Sequence, residues 1–246
     1  MLQLDLIDLG IKPIIKHTFA NYVVSITNQQ IIAHLKYIIH ECSTQVTNNY
    51  IYLWGQPGVG KTHLLQAVCE EAFLDNYNLR ASYFSFKYLI NNNLLEALDI
   101  ADILDNLEQQ DIICLDDINL IESKSLQTTL FDFFNRIKDA NKTLIIASLC
   151  SVNSLKIELL DLKSRLASGI SYNLKALDDQ DKKKLLKTRA YERGITLTDD
   201  LADYLITHGK RDIEGIFDML NQLDRASMKQ KRKLTIPFAK EILFKE

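Results

Sequence analysis

Residues 55–62 read Gly-Gln-Pro-Gly-Val-Gly-Lys-Thr. Glycines, a lysine and a hydroxyl at this spacing form a loop that can hold phosphate. Gly55, Gly58 and Gly60 permit backbone angles and close approaches that a side chain would block. The loop N–H groups can then turn inward around an anion. Lys61 supplies a positive charge toward β- and γ-phosphates, and Thr62 a hydroxyl for Mg²⁺. Val59 and His63 flank these groups and are counted with them. A helix starting near Lys61 adds the positive end of its dipole. The chemistry is the binding of a nucleoside phosphate.

Such a loop needs a strand before it and a helix after it. Tyr50-Ile51-Tyr52-Leu53-Trp54 supplies the apolar strand. Leu64, Leu65, Val68, Cys69, Ala72 and Phe73 follow at helical spacing. A second acidic element lies downstream. The buried run Ile112-Ile113-Cys114-Leu115 ends at Asp116-Asp117, at the carboxyl edge of a sheet where ligands sit. Asp116 can hold Mg²⁺, and Asp117 can orient an attacking water. The alternative is a pair of acids that caps the next turn.

Further strands are expected at 81–85, 143–148 and 170–174, and helices at 27–41 and 124–139. The alternation implies an α/β fold, a five-stranded parallel sheet with flanking helices and right-handed crossovers. Phe131, Phe133 and Phe134 belong to its core. After about Ala176 the pattern turns all-helical, with helices from Asp178 to about Glu192 and over 198–208, 211–227 and 235–245. Gly194 ends the first of these, and Pro237 falls near the start of the last.

The chain has 246 residues, 47% of them hydrophobic, enough for a large core. A net charge of −3 argues against unspecific nucleic-acid binding by overall charge. The cluster Lys229, Lys231, Arg232 and Lys233 reads as a solvated loop between helices. No apolar run reaches membrane length, and the N-terminus lacks a secretory pattern, so a cytoplasmic protein is expected. Cys42, Cys69, Cys114 and Cys150 stand apart in apolar surroundings, as core residues do. His17 has no partner at ligand spacing.

These motifs resemble the AAA-plus ATPases, and in particular the DnaA family. Thr18-Phe19-Ala20-Asn21-Tyr22-Val23 is similar to the family segment that lines the adenine pocket, which implicates Phe19, Tyr22 and Val23. Leu162-Lys163-Ser164-Arg165-Leu166 resembles the segment whose arginine reaches a neighbour's ATP, and the resemblance implies a catalytic role in trans for Arg165. Lys210-Arg211-Asp212-Ile213-Glu214-Gly215 resembles the lid motif whose arginine, here Arg211, faces nucleotide. Residues 222–227 and 232–238 resemble the C-terminus of the Hda-type regulatory members of the family, and Gln3-Leu4-Asp5-Leu6 their sliding-clamp motif. The resemblance implies a clamp-binding segment over 1–12 with Gln3, Leu4 and Leu6 as contacts, a nucleotide-binding base over 13–176 and a lid over 177–246.

What it implies about function follows. The cofactors are ADP or ATP with Mg²⁺. The partners are DnaA, the β-subunit sliding clamp of DNA polymerase III, DNA indirectly through the clamp, and a second copy of the chain. The expected role is to stimulate hydrolysis of DnaA-bound ATP, with catalysis in the partner. The alternative is an ATPase with its own turnover, such as a helicase loader. The absence of a visible helix-turn-helix element after the lid argues against an origin-binding initiator. Three departures from the family stand out. Leu149 follows Ser148 where an acid is usual, Asp117 replaces a glutamate, and Leu6-Ile7-Asp8-Leu9 lacks a proline.

Overall fold

A computed structural model describes residues 17–44, 50–74, 77–92, 100–209 and 212–244. The chain divides into two compact units. One holds residues up to Tyr22 together with 27–175, and the other holds Val23–Ile26 with 176–246.

In the first unit, helix α1 (Gln29–Thr44) precedes strand β1 (Tyr50–Trp54), and helix α2 (Lys61–Ala72) follows it. Next come β2 (Ala81–Ser85), α3 (Phe86–Asn91), α4 (Ile100–Leu107) and β3 (Ile112–Asp116). The series ends with α5 (Lys124–Asp139), β4 (Thr143–Ser148), α6 (Leu160–Ala167) and β5 (Ile170–Asn173). The strands form one sheet in the order β2-β3-β4-β1-β5, with every pairing parallel. Every residue of β3 and β4 is buried, which explains their unbroken apolar runs.

Each face of the sheet has its own core. Ile31, Leu35, Ile38 and Ile39 of α1 pack with Leu64, Leu65 and Val68 of α2 on one side. Leu130, Phe133, Phe134 and Ile137 of α5 pack with Leu162 and Leu166 of α6 on the other, and Phe131 is partly buried against them. The strand directions bring the ends of β1 and β3 to the same edge, which is where the loop and the acids stand.

The second unit consists of α7 (Asp179–Glu192), α8 (Asp199–His208), α9 (Ile213–Gln230) and α10 (Ile236–Leu243). All four begin with a side-chain cap. Asp178, Thr198, Asp212 and Thr235 accept from the backbone N–H three residues on. Leu186, Leu201, Leu205, Ile216, Leu220, Leu223 and Phe238 form its core. Gly194, at φ +72°, follows α7 in the left-handed conformation that ends helices. Lys231, Arg232 and Lys233 lie exposed between α9 and α10, as expected of a solvated loop, whereas Lys229 stands in the last turn of α9.

Candidate functional site

The loop leaves β1 at Gly55 and enters α2 at Lys61. Gly58 and Gly60 hold φ angles of +78° and +92°, in the region that favours glycine. Gly55 is needed for another reason, which its sequence position does not reveal. A Cβ there would lie 2.5 Å from the carbonyl oxygen of Leu174. The glycine therefore lets the loop close onto the end of β5.

Lys61 is buried, and its Nζ donates to the carbonyls of Gly55 at 2.7 Å and Gln56 at 2.9 Å. The ammonium is thus held back over the loop by its own backbone. Burial lowers its pKa, while the charges of Asp116 and Asp117 oppose that shift.

Thr62 Oγ1 donates to Asp116 Oδ2 at 2.5 Å, joining the start of α2 to the end of β3. Tyr83 Oη donates to the same carboxylate oxygen at 3.1 Å. Asp117 turns away in a left-handed conformation, φ +61°, and its Oδ2 accepts from Ser85 Oγ at 3.0 Å. Burial raises the Asp117 pKa, and the Asp116 charge adds to this. The Asp117 side chain makes no cap to the turn that follows, whereas Asp116 Oδ1 accepts from Asp117 N at 2.9 Å. Hydroxyl and carboxylate oxygens are hard donors of the kind Mg²⁺ takes beside phosphates. Among the described residues no three His, Cys, Asp or Glu converge as a self-sufficient metal site.

Tyr22 and Phe19 are buried beside the loop. The Tyr22 hydroxyl donates to Val59 O at 3.3 Å, and a Cβ on Gly60 would meet its ring at 2.8 Å. Burial pushes the phenol up to about 12. His63 bonds the Thr18 carbonyl oxygen at 2.9 Å, and its ring stands 5.1 Å from that of Tyr22. His17 lies 4.6 Å from His63 and bonds Gln66. These aromatic residues thus wall the loop from the 17–22 segment, while Val23 groups with the second unit.

At the end of β4, Ser148 is buried and Leu149 exposed. Asn119 Oδ1 accepts from Leu149 N at 3.0 Å and lies 3.5 Å from Ser148 Oγ. A polar group does reach this strand end, contributed by Asn119 from the turn after β3.

Arg165 stands apart from this constellation. It lies in the last turn of α6, half-buried, with its carbonyl accepting from Ser168 Oγ at 2.7 Å. Its guanidinium makes no hydrogen bond or ion pair among the described residues. Its charge acts on the phenol of Tyr50, which burial pushes up to about 12. Tyr50 opens β1, whereas the loop leaves after Trp54. Gly169, just beyond α6, packs against the Tyr50 backbone, so the helix end bearing Arg165 lies toward the amino end of the strand whose carboxyl end carries the loop. Arg211, Gln3, Leu4 and Leu6 lie outside the described residues.

Tyr83, Ser85, Asn119 and Gln127 are structural participants that the motifs did not disclose. Each is joined to its partner by a fold contact between distant positions, which local spacing does not encode. Gln127 is the most buried of them. Its Oε1 accepts from Glu158 N and Leu159 N, and its Nε2 donates to Glu122 O.

A parallel sheet with a phosphate loop after β1, paired acids after β3 and a following helical unit defines an AAA-plus P-loop protein. Comparison with known proteins narrows this further. Residues 15–175 match the bacterial DnaA ATPase domain family, and residues 179–243 match the Hda lid domain family. An uncharacterized protein of Haemophilus influenzae is 40% identical over 210 residues, 82% of this chain and 84% of that one. Domain III of the replication initiation protein DnaA of Thermotoga maritima superposes with a TM-score of 0.81 at 20% identity, covering 95% of this chain and 97% of that one. AMPPCP-bound DnaA from Aquifex aeolicus gives a TM-score of 0.67 at 27% identity, over 89% of this chain and 70% of that one. The chain belongs to the DnaA family of AAA-plus proteins, close to Hda, and so among the DnaA-related regulators of replication initiation.

Proposed function

We propose that the protein binds adenine nucleotide in the loop of its first unit and stimulates hydrolysis of ATP held by DnaA, with Arg165 acting in trans. One observation carries this reading. Arg165 stands in the last turn of α6, and Gly169, just beyond that helix, packs against Tyr50 at the amino end of β1, while the chain's own loop begins at the other end. Four residues of strand separate the two ends, ~13 Å at the usual rise. An arginine so placed, with no hydrogen bond or ion pair among the described residues, is poorly sited for its own nucleotide and available to a neighbour's.

Lys61, the loop N–H groups and the α2 terminus would hold the phosphates. Release of Nζ from the Gly55 and Gln56 carbonyls would let the ammonium turn to the phosphate instead. Thr62 and Asp116 would hold Mg²⁺, which supplies neutralisation of phosphate charge when bound. Phe19 and Tyr22 would supply apolar surface for a base, and the family motif assigns Arg211 a role toward the nucleotide. The nucleotide keeps the protein in its partner-competent arrangement. Segment 1–12 would tether it to the sliding clamp through Gln3, Leu4 and Leu6, and so to DNA. The outcome is negative regulation of initiation, since hydrolysis leaves DnaA in its ADP form. The supporting observations are the paired family matches and the complete loop.

The test is a reconstituted hydrolysis assay with clamp-loaded DNA and a fixed amount of DnaA–ATP. Arginine fingers contribute roughly 10³–10⁵ in rate. Arg165→Ala should therefore keep ADP binding and fold while stimulation collapses. Arg165→Lys should fail as well, because lysine lacks the planar fork. Stimulation by Arg165→Ala equal to that of the parent rules the mechanism out. The intact set Lys61, Thr62, Asp116 and Asp117 favours a second reading, an ATPase with its own turnover. Hydrolysis by the isolated protein at the rate seen with DnaA present would select it.

A further inference from the structure

Helix α6 carries Arg165 yet begins without a cap of its own. Its N-cap is Leu159, whose side chain cannot accept a hydrogen bond, and α6 has only eight residues. The missing acceptor comes from another helix. Gln127, one turn into α5, is fully buried. Its Oε1 accepts from Glu158 N at 3.0 Å and from Leu159 N at 3.1 Å. Its Nε2 donates to Glu122 O at 3.2 Å. One amide thus joins the segment leaving Asp116 and Asp117 to the entrance of α6.

From this bridge we infer that Gln127 is a positioning residue for Arg165, fixing where α6 starts relative to the acidic end of β3. This rests on the role proposed above for Arg165. The physical argument is about alternatives. A buried amide whose bonds are all made to backbone has one geometry available, and losing it leaves the partly buried N–H groups of Glu158 and Leu159 without this acceptor. The start of α6 would then be free to shift or fray. The opposite end of so short a helix, where Arg165 stands, would shift with it. Lys163 adds a second tie, its Nζ donating to Asn153 O at 2.9 Å, but this one is exposed and reaches only the adjoining loop. Gln127 is therefore a buried polar tie between the entrance of α6 and the segment that follows the acids, beside the packing of Leu162 and Leu166 and the exposed Lys124–Glu158 ion pair. Finger chemistry depends on placement to within an ångström or less, so a small displacement is costly.

Two variants separate positioning from a general packing role. Gln127→Leu keeps comparable volume and removes all three bonds. Gln127→Glu keeps both acceptor bonds and removes the donor bond to Glu122 O. In the DnaA–ATP assay, Gln127→Leu should lower maximal stimulation about tenfold, with ADP affinity and the half-maximal protein concentration unchanged. Gln127→Glu should recover most of the stimulation. Hydrogen exchange at the Glu158 and Leu159 amides should speed up in Gln127→Leu and return toward the parent in Gln127→Glu. Stimulation by Gln127→Leu equal to the parent, unchanged exchange at those amides, or equal loss in both variants overturns the inference. Arg165→Ala is run alongside. If it stimulates like the parent, the reading of Arg165 itself fails, whereas its collapse beside an undiminished Gln127→Leu defeats only the positioning role.

Discussion

Thr62 and Asp116, 54 residues apart in sequence, meet through a 2.5 Å hydrogen bond at the carboxyl edge of the sheet. The bond joins the first turn of α2 to the last residue of β3, and Lys61 lies one residue before Thr62. The two halves of the candidate phosphate site are thus assembled by the fold itself. Its predictions can be tested one group at a time.

Lys61→Ala should abolish nucleotide binding. It removes a buried ammonium that would otherwise face the phosphates, and charge-assisted bonds of this kind are about twice as strong as neutral ones. Calorimetry with ADP checks this, and equal affinity in variant and parent refutes the assignment of residues 55–62.

Asp117→Asn should raise thermal stability at neutral pH. The folded pKa of Asp117 lies above its ordinary value because of burial and the neighbouring Asp116. Its proton is therefore held more tightly in the folded protein. That contribution is present in full below the ordinary carboxylate value and is lost as pH rises through the raised one. At neutral pH the ionised group costs stability, which asparagine avoids while accepting the left-handed φ at this position. The melting difference between variant and parent should shrink as pH falls into the acid range. A difference independent of pH contradicts this account.

Gly169→Ala should destabilise the first unit. A Cβ there would lie 2.5 Å from Tyr50 O and 2.7 Å from Tyr50 Cβ. Because both are rigid parts of β1, the strands must part. Overpacking of this type costs about 1–3 kcal/mol. Denaturant unfolding of variant and parent would show it, and an unchanged midpoint would place the Tyr50 contact among the dispensable ones.

Replacing Gln3 and Leu4 together with alanine should remove most of the affinity for the sliding clamp. Short recognition segments bind through a few anchors, so two losses are felt strongly. Titration against the isolated clamp measures this directly. An unchanged constant would assign clamp contact to another surface.

The parts legible in the sequence are those written in local periodicity. The phosphate loop, the apolar runs of β1, β3 and β4, the helical spacing of α1, α2 and α5, and the capping acids and Gly194 that bound α7 follow from neighbouring residues. Helices α3, α4 and α6 are absent from that reading because each spans eight residues or fewer, whereas the equally short α10 was marked by Pro237 at its start. Two turns hold too few positions for a period to stand out, although Ile100, Ile103, Leu104 and Leu107 do share a face. In the site, Lys61, Thr62 and Asp116 were legible by motif. Ser85 on Asp117 and Gln127 on α6 were not, since each contact spans about thirty positions and depends on strand register or helix docking.

The strand order has a consequence for how the protein is made. Strand β1 emerges early from the ribosome, but its sheet neighbours are β4 and β5, which end at Ser148 and Asn173. The loop's first residue, Gly55, comes to rest against Leu174, and Leu174 N donates to Trp54 O at 2.7 Å. Residues 50–62 are thus synthesised more than a hundred positions before the chain that completes their surroundings. Such distant pairings close slowly. A nascent chain that has not yet reached Leu174 would carry the motif without a finished cradle, so ligand capture waits for the synthesis of β5.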